Sequence, residues 1–235
     1  MNSNPLPAIW ETYKLTKDSL KVVKRTVKTR NPADRQRLLQ RTLVLNQQPE
    51  IFNVDRLAGV AEVEIEELFI VSLWAAFERF LRDYLQNKGS LLMGITPANL
   101  GQAIYEHFFE EVEYWKPDEI IDFLKHNLLQ HNPQLAGDAK AIYHYRSWIV
   151  HGKSEQTRHK ISPLSTEHAY TQLNDIVQVL LDHLTESTIT AIFENGIFRP
   201  VTTHNHTLVE GEQVQFVLIK EKKIDEPNLS SGFSD

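Results

Sequence analysis

Apolar side chains recur every three to four residues over most of this chain, and every second residue over a short stretch near its end. Ile9, Tyr13, Thr16, Leu20, Val23 and Val27 fall on one face of a helix predicted over residues 8–28, and Lys14, Lys17, Lys21, Lys24 and Lys28 repeat one position later. The result is a basic stripe beside an apolar one. Asn31-Pro32 breaks the pattern, and Pro32 starts a second helix predicted to run through Arg35 to Leu45. From residue 55 to residue 88 only Gly59 interrupts the helical period. A single helix near 50 Å long, at about 1.5 Å per residue, is therefore predicted as the spine of a bundle, ended by Gly89. Further helices are predicted over residues 97–113, 117–129, 134–151 and 165–186, with Pro97, Pro117 and Pro163 at or near their starts and Gly152 at a left-handed C-cap.

After Glu186 the period falls to two. Ile189, Ala191 and Phe193 share a face, Asn195-Gly196 is a hairpin signal, and Val214, Phe216 and Leu218 alternate again. The expected fold class is mainly α: a helical domain over residues 1–187, whose first 48 residues are the basic helices, followed by a small antiparallel β element over residues 188–222. Two strands hold no core alone, so this element is expected to pack on the bundle or on a second copy. A polar tail over residues 223–235 is expected to be disordered.

Composition narrows the chemistry. Only 19 of 235 residues are glycine or proline, which favours long helices. The absence of cysteine excludes disulfides, thiolate nucleophiles and thiolate-held metals. The longest apolar stretch, residues 68–77, is about half the ~20 residues of a spanning helix and is flanked by Glu66, Glu67 and Glu78. The opening residues are polar and proline-broken rather than signal-like, so a cytoplasmic protein without a membrane partner is expected. Net charge is −6, from 25 basic and 31 acidic residues, which alone argues against nucleic acid. Residues 11–41, however, hold ten basic side chains against three acidic ones, an excess of +7 that leaves −13 for the remainder. Segregated charge of this kind makes a local anion-binding surface.

One constellation carries candidate chemistry: Arg146-Ser147-Trp148-Ile149-Val150-His151-Gly152, at the end of a predicted helix. Ser147 and His151 share a face at i and i+4, and Arg146 reaches the same neighbourhood from the side. An always-charged guanidinium suits a phosphodiester in its pentacoordinate state, and histidine is the side chain that exchanges a proton near neutral pH. The negative end of a helix dipole accommodates the cationic imidazole. The same spacing also occurs at plain surfaces, where a helix ends in His-Gly and the arginine and His144 only face solvent.

This motif resembles that of the ribonuclease members of the HEPN superfamily, an arginine and a histidine four to six residues apart near the end of a bundle helix. The segment Leu73-Trp74-Ala75-Ala76-Phe77-Glu78-Arg79-Phe80-Leu81-Arg82-Asp83-Tyr84-Leu85 resembles the family's earlier long helix, and the likeness spans about residues 50–187. It implies a homodimeric, metal-independent endoribonuclease without cofactors, in which the RNA 2′-hydroxyl attacks its own phosphate to leave a cyclic phosphate and a 5′-hydroxyl. By that likeness Arg146 and His151 are catalytic, Ser147 orients substrate or His151, and Glu78 supports them from the long helix. Glu78 and Arg82, at i and i+4, equally suit a solvated ion pair. Lys14, Lys17, Lys21, Lys24, Lys28 and Lys153 are the expected phosphate-binding residues. The alternative is a non-catalytic interaction module whose basic face binds a nucleotide, RNA or an acidic partner.

Finally, Phe193-Glu194-Asn195-Gly196-Ile197-Phe198-Arg199-Pro200 resembles the start of very short, AbrB-like β antitoxins, although residues 202–206 replace the usual proline- and leucine-rich connector. His204 and His206 there suit a solvated loop better than a metal pair. A ribonuclease motif joined to an antitoxin-like segment implies a toxin–antitoxin or phage-defence protein, with RNA and an antitoxin as partners. The hairpin is expected to dimerise the chain or restrain the site in cis.

Overall fold

The computed structural model describes residues 3–42, 51–155, 162–186, 191–194 and 197–200. Seven α-helices are described: α1 (Leu6–Val27), α2 (Pro32–Leu39), α3 (Ile51–Gly89), α4 (Ala98–Tyr114), α5 (Pro117–Asn127), α6 (Pro133–Val150) and α7 (Thr166–Glu186). The protein is mainly helical. None of its described helices is long and apolar enough to cross a membrane.

The 39-residue α3 is the spine, and α1, α4, α6 and α7 all pack on it. It starts four residues before the predicted span because nothing in residues 51–54 opposes a helix. Gly59 is tolerated inside it, where an added Cβ would meet nothing within 4 Å. From its middle onward one face is sealed: Ile70, Leu73, Trp74, Phe77 and Phe80 are each at most 1% exposed. Burying such side chains contributes roughly 1.5–3 kcal/mol each, which outweighs the cost of one interior glycine. Helix α1 runs antiparallel to the first half of α3, with its apolar stripe turned inward: Tyr13 meets Phe69 edge-on at 5.3 Å, while Lys24 reaches back to Glu62 at 2.5 Å. Trp10 stacks on Tyr170 of α7 at 4.8 Å.

Two expected boundaries change. Helix α2 stops at Leu39 rather than Leu45, because Arg41 takes a positive φ of 66° and the Thr42 amide and hydroxyl donate to Leu39 O at 3.0 and 2.7 Å. Gly89 does end α3, but not through a left-handed cap: its φ is −60°, and the chain passes into a 3₁₀ turn, Ser90–Gly94. An added Cβ at Gly89 would run into the ring of Phe108 from α4, which would have to shift.

A strand β1 (Ala191–Glu194) pairs antiparallel with β2 (Ile197–Pro200), Glu194 opposite Ile197. The Asn195-Gly196 turn, the histidines of residues 202–206, the alternation at Val214, Phe216 and Leu218, and the 223–235 tail lie outside the described residues.

A polar knot ties three helices together. Glu66 Oε1 accepts from Tyr13 Oη at 2.5 Å and Lys17 Nζ at 2.6 Å, and Glu66 Oε2 accepts from Thr166 Oγ1 at 2.5 Å and the Thr166 amide at 3.2 Å. Burial pushes the Glu66 carboxyl up, but the hydrogen bonds from Lys17, Thr166 and Tyr13 outweigh it and hold the carboxyl down at about 2. A depressed carboxyl stabilises the fold above its unfolded value of 4.5, and that stabilisation is lost as pH falls from 4.5 toward 2. Because Glu66 is partly exposed, its share is about 2 kcal/mol. Urea unfolding at pH 6 and pH 3 should show Glu66→Gln losing much less stability over this interval than the wild type. Equal losses would remove the assignment.

Candidate functional site

The Arg146 to His151 segment is the last turn and a half of α6. Helix α6 starts at Pro133, whose missing N–H costs nothing at a first helical position, and runs antiparallel to α3. Tyr143 lies against Trp74 with ring centroids 5.2 Å apart, and the far end reaches Glu64 and Glu67. The helix closes in a Schellman motif. Gly152 N–H donates to Ile149 O at 3.2 Å and Lys153 N–H to Trp148 O at 2.9 Å, with φ of +83° at Gly152 and +56° at Lys153. The predicted left-handed cap is therefore present. A β-carbon at Gly152 is disfavoured by this φ, so Gly152→Ala should lose roughly 1–2 kcal/mol in chemical denaturation, whereas Gly137→Ala, on the exposed face of the same helix, should not destabilise. Equal behaviour of the two variants would contradict this cap.

Lys153 is held after the turn by two carboxylates of α3, Glu64 at 3.1 Å and the 6%-exposed Glu67. Tyr145 is also buried: burial first, then the negative charge of Glu67, pushes its hydroxyl above the usual tyrosine value, against the opposing pull of Lys153. The turn bearing His151 is thus fixed on one side by Lys153 and on the other by Trp148, whose Nε1 donates to Ser154 O at 3.1 Å.

Arg146 and Ser147 are half-buried and His151 is exposed. The His151 amide donates to Ser147 O at 3.0 Å, as the last turn requires. Among the described residues Arg146 Nε is buried without a hydrogen-bond partner. Buried donors are seldom left without a partner, so this Nε marks a guanidinium that the described residues do not fully satisfy.

The other expected site residues have partners of their own. Among the described residues no hydrogen bond or ion pair joins Glu78 to Arg146, Ser147 or His151. Glu78 lies eleven residues beyond Glu67 on α3, about 16 Å along the axis, and accepts from Trp74 Nε1 at 2.9 Å and Arg82 Nη2 at 2.8 Å. Its ion pair with Arg82 is not the solvated one expected: Arg82 is 9% exposed and also donates to the backbone oxygens of Val112, Glu113 and Trp115 at the end of α4.

The basic stripe divides. Lys17 and Lys24 turn into the α1–α3 contact and pair with Glu66 and Glu62, while Lys14 and Lys21 remain about half exposed and, among the described residues, form ion pairs only with Glu11 and Asp18 of their own helix. Lys28 follows the last residue of α1. Sequence reading missed the run Glu62-Val63-Glu64-Ile65-Glu66-Glu67, four carboxylates in six residues of an otherwise apolar helix. Their signal was that density. In the fold, Glu62 and Glu66 hold α1 while Glu64 and Glu67 hold Lys153, so the basic helix and the Arg146–His151 end are anchored to the same two turns of α3. Comparisons of the chain with protein-family models, with curated proteins and with solved structures gave no match.

Proposed function

We propose that this chain is a metal-independent endoribonuclease whose catalytic element is the end of α6. The observation that carries the reading is the pairing of Arg146, a guanidinium with a buried Nε that the described residues leave unpartnered, with an exposed imidazole five residues on. Resemblance of this motif to the HEPN ribonucleases supplies the reaction. The 2′-oxygen bonds to phosphorus, the bond from phosphorus to the 5′-oxygen breaks, one proton leaves the 2′-hydroxyl and another reaches the departing 5′-oxygen. Arg146 balances the charge on the phosphorane oxygens and His151 handles a proton. Ser147, one turn before His151, positions the substrate or the imidazole. The same resemblance implies a homodimer that sets two such ends across one cleft, and the likeness of the C-terminal segment to short antitoxins supports a toxin–antitoxin or phage-defence role.

RNA lies along the outer face of α1, on Lys14 and Lys21. Charge reversal of these two should weaken RNA binding several-fold and reduce the slope of log Kd against log salt by about one per residue. Circular dichroism should be unchanged, because among the described residues both side chains form ion pairs only within α1. The same change at Lys17 or Lys24 sets like charge against Glu66 or Glu62, so it should lower stability as well. If reversal at Lys14 and Lys21 leaves the salt slope intact, RNA does not follow α1. A protein that binds RNA but never cuts it would instead be a non-catalytic interaction module.

A further inference from the structure

A cavity of about 350 Å³ opens between α3, α4, α5 and α7. Among the described residues α6 contributes nothing to its walls, so it is separate from the Arg146–His151 site. Tyr84, Phe108 and Phe123 supply aromatic walls, and Leu85 and Leu128 aliphatic ones. Lys88, Asn127 and His183 are the other polar residues of the lining. Sites for small molecules have this make-up: a mostly apolar lining, a few fixed polar groups, and a volume of ~300 Å³ or more. The aromatic walls also hold one another in place, since Phe108 packs edge-on to Trp115 at 6.0 Å and Trp115 packs on Phe123 at 5.7 Å.

The polar groups differ in what they have left to offer. Lys88 Nζ donates to His183 O at 3.1 Å, so the one ammonium of the lining is already engaged within the protein. Asn127 Nδ2 donates to Phe123 O at 2.7 Å. Tyr84 is only 2% exposed, yet among the described residues its hydroxyl makes no hydrogen bond. Burial pushes that hydroxyl above the usual tyrosine value, so at neutral pH it is an O–H donor. Buried hydroxyls are seldom left without a partner, and the cavity is where this one can find it.

We propose that this cavity binds an uncharged aromatic molecule of one or two rings that carries a single hydrogen-bonding oxygen, with its rings among Tyr84, Phe108 and Phe123 and its oxygen on the Tyr84 hydroxyl. Aromatic walls favour a planar ring through offset and edge-on contacts. A charged head is disfavoured, because it would leave water for a lining whose one cation is already committed. The inference does not depend on the ribonuclease reading.

The probes are 2-naphthol and naphthalene, which share a ring system and differ by one hydroxyl, with 2-naphthoate as the charged analogue. Titrated into the full-length protein and followed by NMR, 2-naphthol should give saturable shifts centred on Leu85, Gly89 and Leu128. It should bind about threefold to tenfold more tightly than naphthalene, the size expected of one hydrogen bond, and more tightly than 2-naphthoate. Tyr84→Phe keeps the ring and removes only the hydroxyl, so it should bring the affinities for 2-naphthol and naphthalene together. The same variant should unfold in urea at an unchanged or higher midpoint, because no hydrogen bond within the protein is lost. Shifts that do not saturate or that centre elsewhere, equal wild-type affinities for 2-naphthol and naphthalene, or tighter binding of 2-naphthoate would overturn the assignment. So would a Tyr84→Phe variant that keeps the preference for 2-naphthol or that is clearly destabilised.

Discussion

Replacement of His151 with alanine is expected to slow RNA cleavage by two to four orders of magnitude, the usual contribution of a positioned proton donor or acceptor, while leaving RNA affinity within about twofold. The separation of rate from affinity follows from the structure. The imidazole is exposed at the C-cap of α6, and the hydrogen bonds that close the helix there are made by the backbone amides of His151, Gly152 and Lys153. Removing the ring therefore leaves the Schellman turn intact. Arg146→Ala should behave differently and impair binding as well as rate, because a phosphate contact is made in both ground state and transition state. Arg146→Lys keeps the charge but loses the planar fork, and should recover little of the rate. Single-turnover cleavage beside filter binding reads both quantities. An unchanged rate in His151→Ala would remove the proton-transfer role from this residue.

The second large effect concerns stability. Arg82→Ala should destabilise the fold by about 3–5 kcal/mol, the range found when one partner of a buried ion pair is removed. The guanidinium donates to Glu78 Oε1 at 2.8 Å, to Glu113 O at 2.9 Å, to Trp115 O at 3.0 Å and to Val112 O. Those oxygens lie at and just beyond the end of α4, where carbonyls have no intrahelical partner, so Arg82 caps α4 from the spine helix. Truncation would leave three carbonyls and the Glu78 carboxylate short of a donor at once. At about 2–4 °C per kcal/mol for a chain of this size, the melting temperature should fall by roughly 10 °C. The double variant Glu78→Gln, Arg82→Met removes both charges together and should be less damaging than Arg82→Ala alone. Glu78→Gln also tests the role implied by resemblance: a loss of stability with an unchanged cleavage rate marks Glu78 as structural, and a loss of rate at full stability restores it to the site.

The helices were legible because their causes are local. A 3.6-residue apolar period with proline at the starts locates α1, α5, α6 and α7, and Gly152 marks a left-handed turn that L side chains avoid. The partners of charged groups were not legible, because they depend on how one helix is rotated against another. In sequence, Lys14, Lys17, Lys21 and Lys24 are equivalent members of one stripe. Packing of α1 on α3 turns Lys17 and Lys24 toward Glu66 and Glu62 and leaves Lys14 and Lys21 outside. Similarly, an acidic residue on the inner face of the long helix was readable, but not that Arg82 and Trp74 would claim it. Leu43 and Leu45 extend the apolar pattern of α2 in sequence, yet the chain turns at Arg41 first.

The central claim is that Arg146 and His151 cut RNA by activating its own 2′-hydroxyl. The most direct measurement is mass spectrometry of RNA ends after incubation of a pool that includes tRNA with the purified wild-type protein and excess chelator, beside His151→Ala. The account predicts 2′,3′-cyclic phosphate and 5′-hydroxyl ends from the wild type, none from the variant, and no cutting where the cleaved nucleotide carries a 2′-deoxy substitution. Intact RNA under these conditions, or cleavage that leaves 5′-phosphate ends or tolerates the 2′-deoxy substitution, would contradict it.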